Sequence, residues 1–165
     1  HDLNIIRARG KVTVASMMKV LNHFGKKYYA LHDTDVPTVA SKRKNKELSV
    51  DGAIVYDKFT MTNPAWTNNG KILAQMTGQS RVVASVINFE DAYFDETVGS
   101  DKPENCIKHI KEDSDMYDKV KGLLDGILEF DESQLPEGAL TWSDISELND
   151  AVQARFDSVT VNSGE

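Results

Sequence analysis

Tyr28-Tyr29-Ala30-Leu31-His32-Asp33-Thr34-Asp35 is the stretch whose reading decides the fold. Tyr28 to Leu31 are apolar or aromatic and suit a short buried strand. The strand ends in Asp33 and Asp35, two residues apart. That spacing puts both on the same side if the extended conformation persists. Neighbouring carboxylates repel each other, and a divalent cation relieves the repulsion. In open α/β sheets such sites lie just beyond the carboxyl ends of strands. Taken alone the pair fits the start of a turn equally well, because Asp is common there.

Working outward, Asp2 to Ala8 carries Leu3, Ile5 and Ile6 and reads as an earlier strand ended by Gly10. Val12 to Phe24 places Val14, Met17, Met18, Leu21 and Phe24 on one face at helical spacing, with Gly25 closing the helix. The Met and Phe stripe reads as core. Strand, helix and strand with short links form a βαβ unit, so its strands are expected to be parallel. Pro37 to Gly70 reads as irregular, broken by Gly52, Pro64 and several Asn and Thr, with at most a short strand at Ala53-Ile54-Val55-Tyr56. So long a segment in a small domain is often functional. Trp66 within it either anchors the loop or stacks on a ligand, anchoring being the commoner case.

Lys71 to Met76 reads as a short helix, and Arg81 to Ile87 as a second buried strand. This strand runs into Asn88-Phe89-Glu90-Asp91, so Glu90 is expected to meet Asp33 and Asp35 at one edge of the sheet. Pro103 suits the first turn of a helix carrying Ile107 and Ile110, with Lys102 just before it. Met116 to Phe130 reads as an amphipathic helix. Asp131 to Gly138 reads as an acidic linker. Ile145 to Phe156 reads as a last helix capped by Thr141-Trp142-Ser143-Asp144, fraying from Asp157, with a loose tail over Thr160 to Glu165.

The bulk numbers set the frame. The chain has 165 residues, which is one domain's worth; it is 40% hydrophobic and 27% charged, so a packed core is expected. No apolar run approaches the ~18 residues of a membrane span. No signal peptide is evident, and the single cysteine, Cys106, excludes an internal disulfide framework and fits a reducing cytoplasm. The chain opens on His1 rather than Met, which fits a fragment, a processed product or a tag remnant, and His1 is given no role. The net charge of −7 argues against nucleic-acid binding over the whole surface but leaves room for a local patch. Ser41-Lys42-Arg43-Lys44-Asn45-Lys46 is such a patch, and by itself it reads as a solvated loop. There is no glycine-rich dinucleotide or phosphate loop, no zinc spacing among His23, His32, His109 and Cys106, and no serine nucleophile elbow. His32 beside Asp33 reads as a base or, equally well, as a partly buried packing histidine.

Four features in order carry a resemblance: Gly10-Lys11 before a helix and the Asp33-Thr34-Asp35 strand end; Thr62-Asn63-Pro64-Ala65-Trp66-Thr67-Asn68-Asn69; Asn88-Phe89-Glu90; and Lys102-Pro103. Across residues 3–130 the chain resembles the TOPRIM nuclease domain of the OLD family (overcoming lysogenization defect), ATP-dependent endonucleases of phage and bacterial defence. The resemblance implies an α/β, Rossmann-like, mainly parallel sheet with flanking helices in residues 1–130; residues 131–165, beyond it, read as a linker, a final helix and a loose tail. It implies a metal-dependent DNA endonuclease or nickase in which Asp33, Asp35 and Glu90 hold two Mg²⁺ or Mn²⁺ ions about 4 Å apart. Lys102 would stabilise charge on the scissile phosphate. Lys42, Arg43, Lys44 and Lys46 would hold DNA phosphates. The family also has a glutamate in an upstream Glu-Gly segment and an ATPase domain, both expected outside this chain. ATP, an ATPase partner and possible homo-oligomerisation would enter only through those parts, and the isolated chain would cut poorly.

Two other readings stay open. Asp33-Thr34-Asp35 resembles the opening motif of haloacid-dehalogenase-type phosphatases, with Asp33 as nucleophile and Asp35 as general acid. Against it, Pro37 stands where Thr or Val is usual. The other reading is an interaction or scaffold fragment whose carboxylates are incidental.

Overall fold

A computed structural model describes residues 4–50, 53–94, 106–108, 110–111, 114–129 and 131–162. The chain order is α1 (Lys11–His23), β1 (Tyr28–Asp33), β2 (Thr38–Val50), β3 (Ala53–Thr62), α2 (Pro64–Thr67), α3 (Asn69–Leu73), β4 (Ser80–Ser85) and α4 (Phe89–Tyr93). It continues with α5 (Ser114–Glu129), a 3₁₀ turn (Glu132–Gln134), β5 (Ala139–Thr141) and α6 (Ile145–Asn162). The fold is mixed α/β.

Among the described residues the central sheet has three strands in the order β1-β4-β5. β1 and β4 run parallel, with Tyr28 opposite Ser80 and Asp33 opposite Ser85. β5 pairs antiparallel with β4 through Val83 and Thr141. The sheet is therefore mixed, not mainly parallel. Strand β5 was hidden in the sequence because three residues are too few to show a period. Its entry depends on Gly138 (φ +92°), where an added Cβ would stand 2.5 Å from the Ala92 carbonyl oxygen. Only glycine fits that approach.

β4 is buried on both faces, as a central strand between helical layers must be. Val82 and Ala84 face a core shared with Ala15 and Met18 of α1, Ala30 of β1, Ile72 of α3, Trp142 and Leu148. Val83 faces the opposite core with Ala92, Tyr93, Phe94 and Leu123. Trp66 packs against the first core, so it is an anchor. The α1 helix ends as expected: Gly25 takes a left-handed φ of +60°, and Lys26 donates to the Leu21 carbonyl at 3.0 Å. Residues 106–108 and 110–111 are helical, in line with the helix expected to carry Ile107 and Ile110, while Pro103 lies outside the described residues.

Three expectations need correction. Residues 4–8 are not a strand. No strand among the described residues pairs with them, and Ile5 remains 85% exposed. Apolar composition does not make a strand without a partner ladder. The segment after Pro37 is not irregular: β2 and β3 form a long antiparallel hairpin. Its strands engage each other far more than they engage the body. Backbone pairing holds them extended, and Ser41 to Lys46 carries no apolar residue from which an alternating strand pattern could be read. The last helix does not fray at Asp157 but runs to Asn162.

Candidate functional site

The carboxyl ends of β1 and β4 are tied together beyond the sheet. The Thr34 amide donates to the Ser85 carbonyl at 2.9 Å, and the Asp35 amide to the Ile87 carbonyl at 2.8 Å. The Ile87 amide donates back to Thr34 Oγ1 at 2.7 Å. Asp35 (φ +57°) and Ile87 (φ +66°) are the two non-glycine residues with positive φ among the described residues. Asp tolerates that conformation, but a β-branched Ile resists it. Such strain, of order 1–3 kcal/mol at a residue, gathers where a site must be held in shape.

Asp33 is half-buried beside the start of α4, and its carboxyl accepts a hydrogen bond from the Phe89 amide. Asn88 caps α4 by accepting from the Asp91 amide at 3.0 Å. Glu90 sits in the first turn, where a carboxylate suits the helix dipole. Burial pushes the Asp33 carboxyl up to about 6, and the negative charges of Asp35 and Glu90 push it the same way. The two strand ends therefore bring all three acidic residues within electrostatic reach. They do not form a closed cage: among the described residues, no three His, Cys, Asp or Glu side chains are grouped to hold one ion.

Lys11 is the residue that sequence reasoning undervalued. Its side chain is only 9% exposed, and its ammonium lies 2.5 Å from Asp35 Oδ2. It also donates to the carbonyls of Thr34 (2.8 Å) and Ala65 (3.3 Å). Burial lowers its pKa, opposed by the hydrogen bond and charge of Asp35 and by the charge of Asp33. The signal was its place in Gly10-Lys11, but a lysine opening a helix says nothing about a carboxylate 24 positions away. Asn69 shares the Thr34 carbonyl, donating at 2.8 Å, while its buried Oδ1 has no hydrogen-bond partner among the described residues.

His32 is a packing residue. It is buried, its Nε2 accepts from Trp142 Nε1 at 3.2 Å, and the rings meet edge to face. With Nε2 accepting, Nδ1 donates to the Asp33 carbonyl at 2.8 Å. Burial lowers the imidazole pKa to about 4, so the ring is neutral near pH 7.

Lys102 lies outside the described residues. Lys42, Arg43 and Lys44 stand on β2 of the hairpin and are exposed. Lys46 is also on β2 by its backbone. A cleft of about 350 Å³ lies between Val36, Pro37 and Thr38 at the hairpin base and Val152 and Phe156 of α6, close in sequence to Asp35 but not lined by it. Among the described residues, no helix is long and apolar enough to cross a membrane. Comparison of the chain with family models, with curated proteins and with solved structures returns no match.

Proposed function

We propose that this chain is the phosphodiester-cleaving, TOPRIM-like part of a divalent-metal-dependent DNA nuclease of the OLD type, working with an ATPase domain in phage defence inside the cell. One observation carries the reading. Asp33 is pushed up to about 6 at the end of parallel strands by burial and two further carboxylates. The buried ammonium beside them, Lys11, is paired to Asp35. Asp35 and Glu90 both act electrostatically on Asp33, so the strand ends hold three carboxylates in one neighbourhood.

The donor chemistry fits a hard cation. Mg²⁺ and Mn²⁺ favour oxygen ligands, and Mg²⁺ keeps several waters while taking one or two carboxylates. A full protein cage is therefore not required. Asp33 and Glu90 would hold the ion, with Asp35 kept in place by Lys11. A bound ion would supply Lewis acidity and a water of lowered pKa. Neutral His32, engaged at both nitrogens, is unsuited to take a proton from that water. Lys102 would add positive charge at the scissile phosphate. The phosphatase reading is weakened by the Lys11–Asp35 pair, because a general acid must release a proton that Asp35 does not hold when ion-paired.

The test is Mn²⁺ calorimetry with nicking of supercoiled plasmid, comparing the chain with Asp33→Asn and Glu90→Gln. The reading expects both variants to lose at least about tenfold in Mn²⁺ affinity, the scale on which metal sites respond to altered ligation. Unchanged Mn²⁺ binding in both variants overturns it. A trapped phosphoaspartate on Asp33 would replace it with the phosphatase.

A further inference from the structure

The register of the β2–β3 hairpin sorts its charges onto two different faces. Residues directly opposite in an antiparallel pair share a face, and successive pairs alternate. Lys42 stands opposite Lys58, and Lys44 opposite Tyr56. These four lie on one face. Arg43 pairs with Asp57 on the other, at 3.9 Å, alongside the Ser41–Phe59 and Val39–Met61 pairs. Lys42 and Lys44 therefore lie on a different face from Arg43. Arg43 is already matched by a carboxylate, whereas Lys42, Lys44 and Lys58 have no ion-pair partner among the described residues.

Two lysines directly opposite each other destabilise a hairpin. They persist here with exposed Tyr56, 52% accessible, directly opposite Lys44 and two residues from Lys58 on the same strand. A cross-strand lysine pair beside an open aromatic ring is poorly suited to water alone but complements a flexible polyanion with free π-faces. Alternate residues on a strand are about 7 Å apart, so the lysines are spaced to follow a backbone rather than to grip one anion.

We infer that the Lys42, Lys44, Tyr56 and Lys58 face binds single-stranded nucleic acid, with the lysines along the phosphates and Tyr56 stacked on an unpaired base. Duplex fits less well: its bases are already stacked, which would leave Tyr56 without its contact. The inference deepens the nuclease reading by naming the form of substrate that the hairpin receives, but the binding itself needs no metal.

The experiment is fluorescence anisotropy with labelled oligo-dT in EDTA, against the matched duplex and anionic phospholipid vesicles as competitors. Tyr56→Ala is expected to weaken binding about tenfold, and Tyr56→Phe to retain most of it. Lys42→Ala combined with Lys58→Ala should flatten the logarithmic salt dependence by about 1.4, two phosphate contacts' worth on a single strand. Arg43→Ala should leave affinity within about twofold, as expected of a residue outside the contact face. All four positions are exposed, and circular dichroism would check that each variant folds. Arg43→Ala as damaging as Lys58→Ala, tighter binding to duplex, or preferential capture by vesicles each overturns the inference. Binding in EDTA together with Mn²⁺ affinity that is unchanged in Asp33→Asn and Glu90→Gln would preserve the hairpin face while removing the nuclease reading. Metal-dependent nicking that is indifferent to Tyr56 and Lys58 would do the reverse.

Discussion

At the ends of β1 and β4 charge is folded into the protein; on β2–β3, Lys42, Arg43, Lys44 and Lys58 hold it out in solvent. The buried edge is fixed by strand-end hydrogen bonds, a capped helix and an ion pair whose lysine is nine-tenths buried. The hairpin has its own ladder and little else. At the edge, desolvation moves pKa values. On the hairpin, pairing register decides what each charge can do. A carboxylate and a lysine therefore gain function here by different means: one through its surroundings, the other through its neighbour across a strand.

The largest contrast should be in stability. Leu148→Ala, in the first core, is expected to lower unfolding free energy by about 2–5 kcal/mol. Phe59→Ala, 44% exposed on the hairpin, should cost about 1 kcal/mol or less. Urea unfolding measures both, and equal losses would show that the hairpin belongs to the main cooperative unit.

Next comes Lys11→Met. It leaves Asp35 without its ammonium and takes one donor each from the Thr34 and Ala65 carbonyls, which keep Asn69 and the Asn68 amide. Since Asp35 is a third exposed, the loss should be about 2 kcal/mol rather than the full figure for a buried pair. The Asp33 carboxyl should also rise above about 6, because the Lys11 charge now holds it down. Carboxyl NMR titration reads that shift. A fall instead would mean that Lys11 does not act on Asp33.

The edge also predicts opposed pH slopes. Asp33 is raised from 3.8 to about 6, so its contribution to stability is present below about 4 and lost as pH rises through about 6. His32 is lowered from 6.5 to about 4, so its contribution is present above 6.5 and lost as pH falls toward about 4. Each is worth about 1–2 kcal/mol after allowance for solvent screening. In the unmodified chain the two slopes offset each other across that window. Asp33→Asn should leave stability rising with pH, and His32→Asn should leave it falling. Thermal melts across the window compare the slopes, and identical slopes in the two variants would refute the pairing.

The smallest effect belongs to the hairpin. Lys58→Glu turns a repulsive cross-strand pair into an attractive one, so the hairpin should gain about 0.2–1 kcal/mol, seen as slower amide exchange along β2 and β3. The same change should remove nucleic-acid binding, so stability and binding would move in opposite directions.

Helices were legible wherever one face is buried. The α1 stripe and Gly25 are where periodicity and chirality put them, and β4 shows its burial in Val82, Val83 and Ala84. The electrostatic influence of Glu90 on Asp33 agrees with two strands that each run into acid. What failed had no local signature. Residues 4–8 have the composition of a strand without a partner, and β5 is too short to show a pattern. β2 is a charged strand whose pairing cannot be read from its own residues.

The sequence alone determined the mixed α/β class, the placing of carboxylates at strand ends and the apolar stripes that fill the two cores. These follow from the periods of 3.6 and 2 and from the exclusion of apolar side chains from water. Only the tertiary structure decided that Lys11 closes on Asp35, that His32 is neutral against Trp142, and that Lys42 faces Lys58 while Arg43 faces Asp57. Those outcomes depend on pairing register and burial across long separations, which no local pattern encodes.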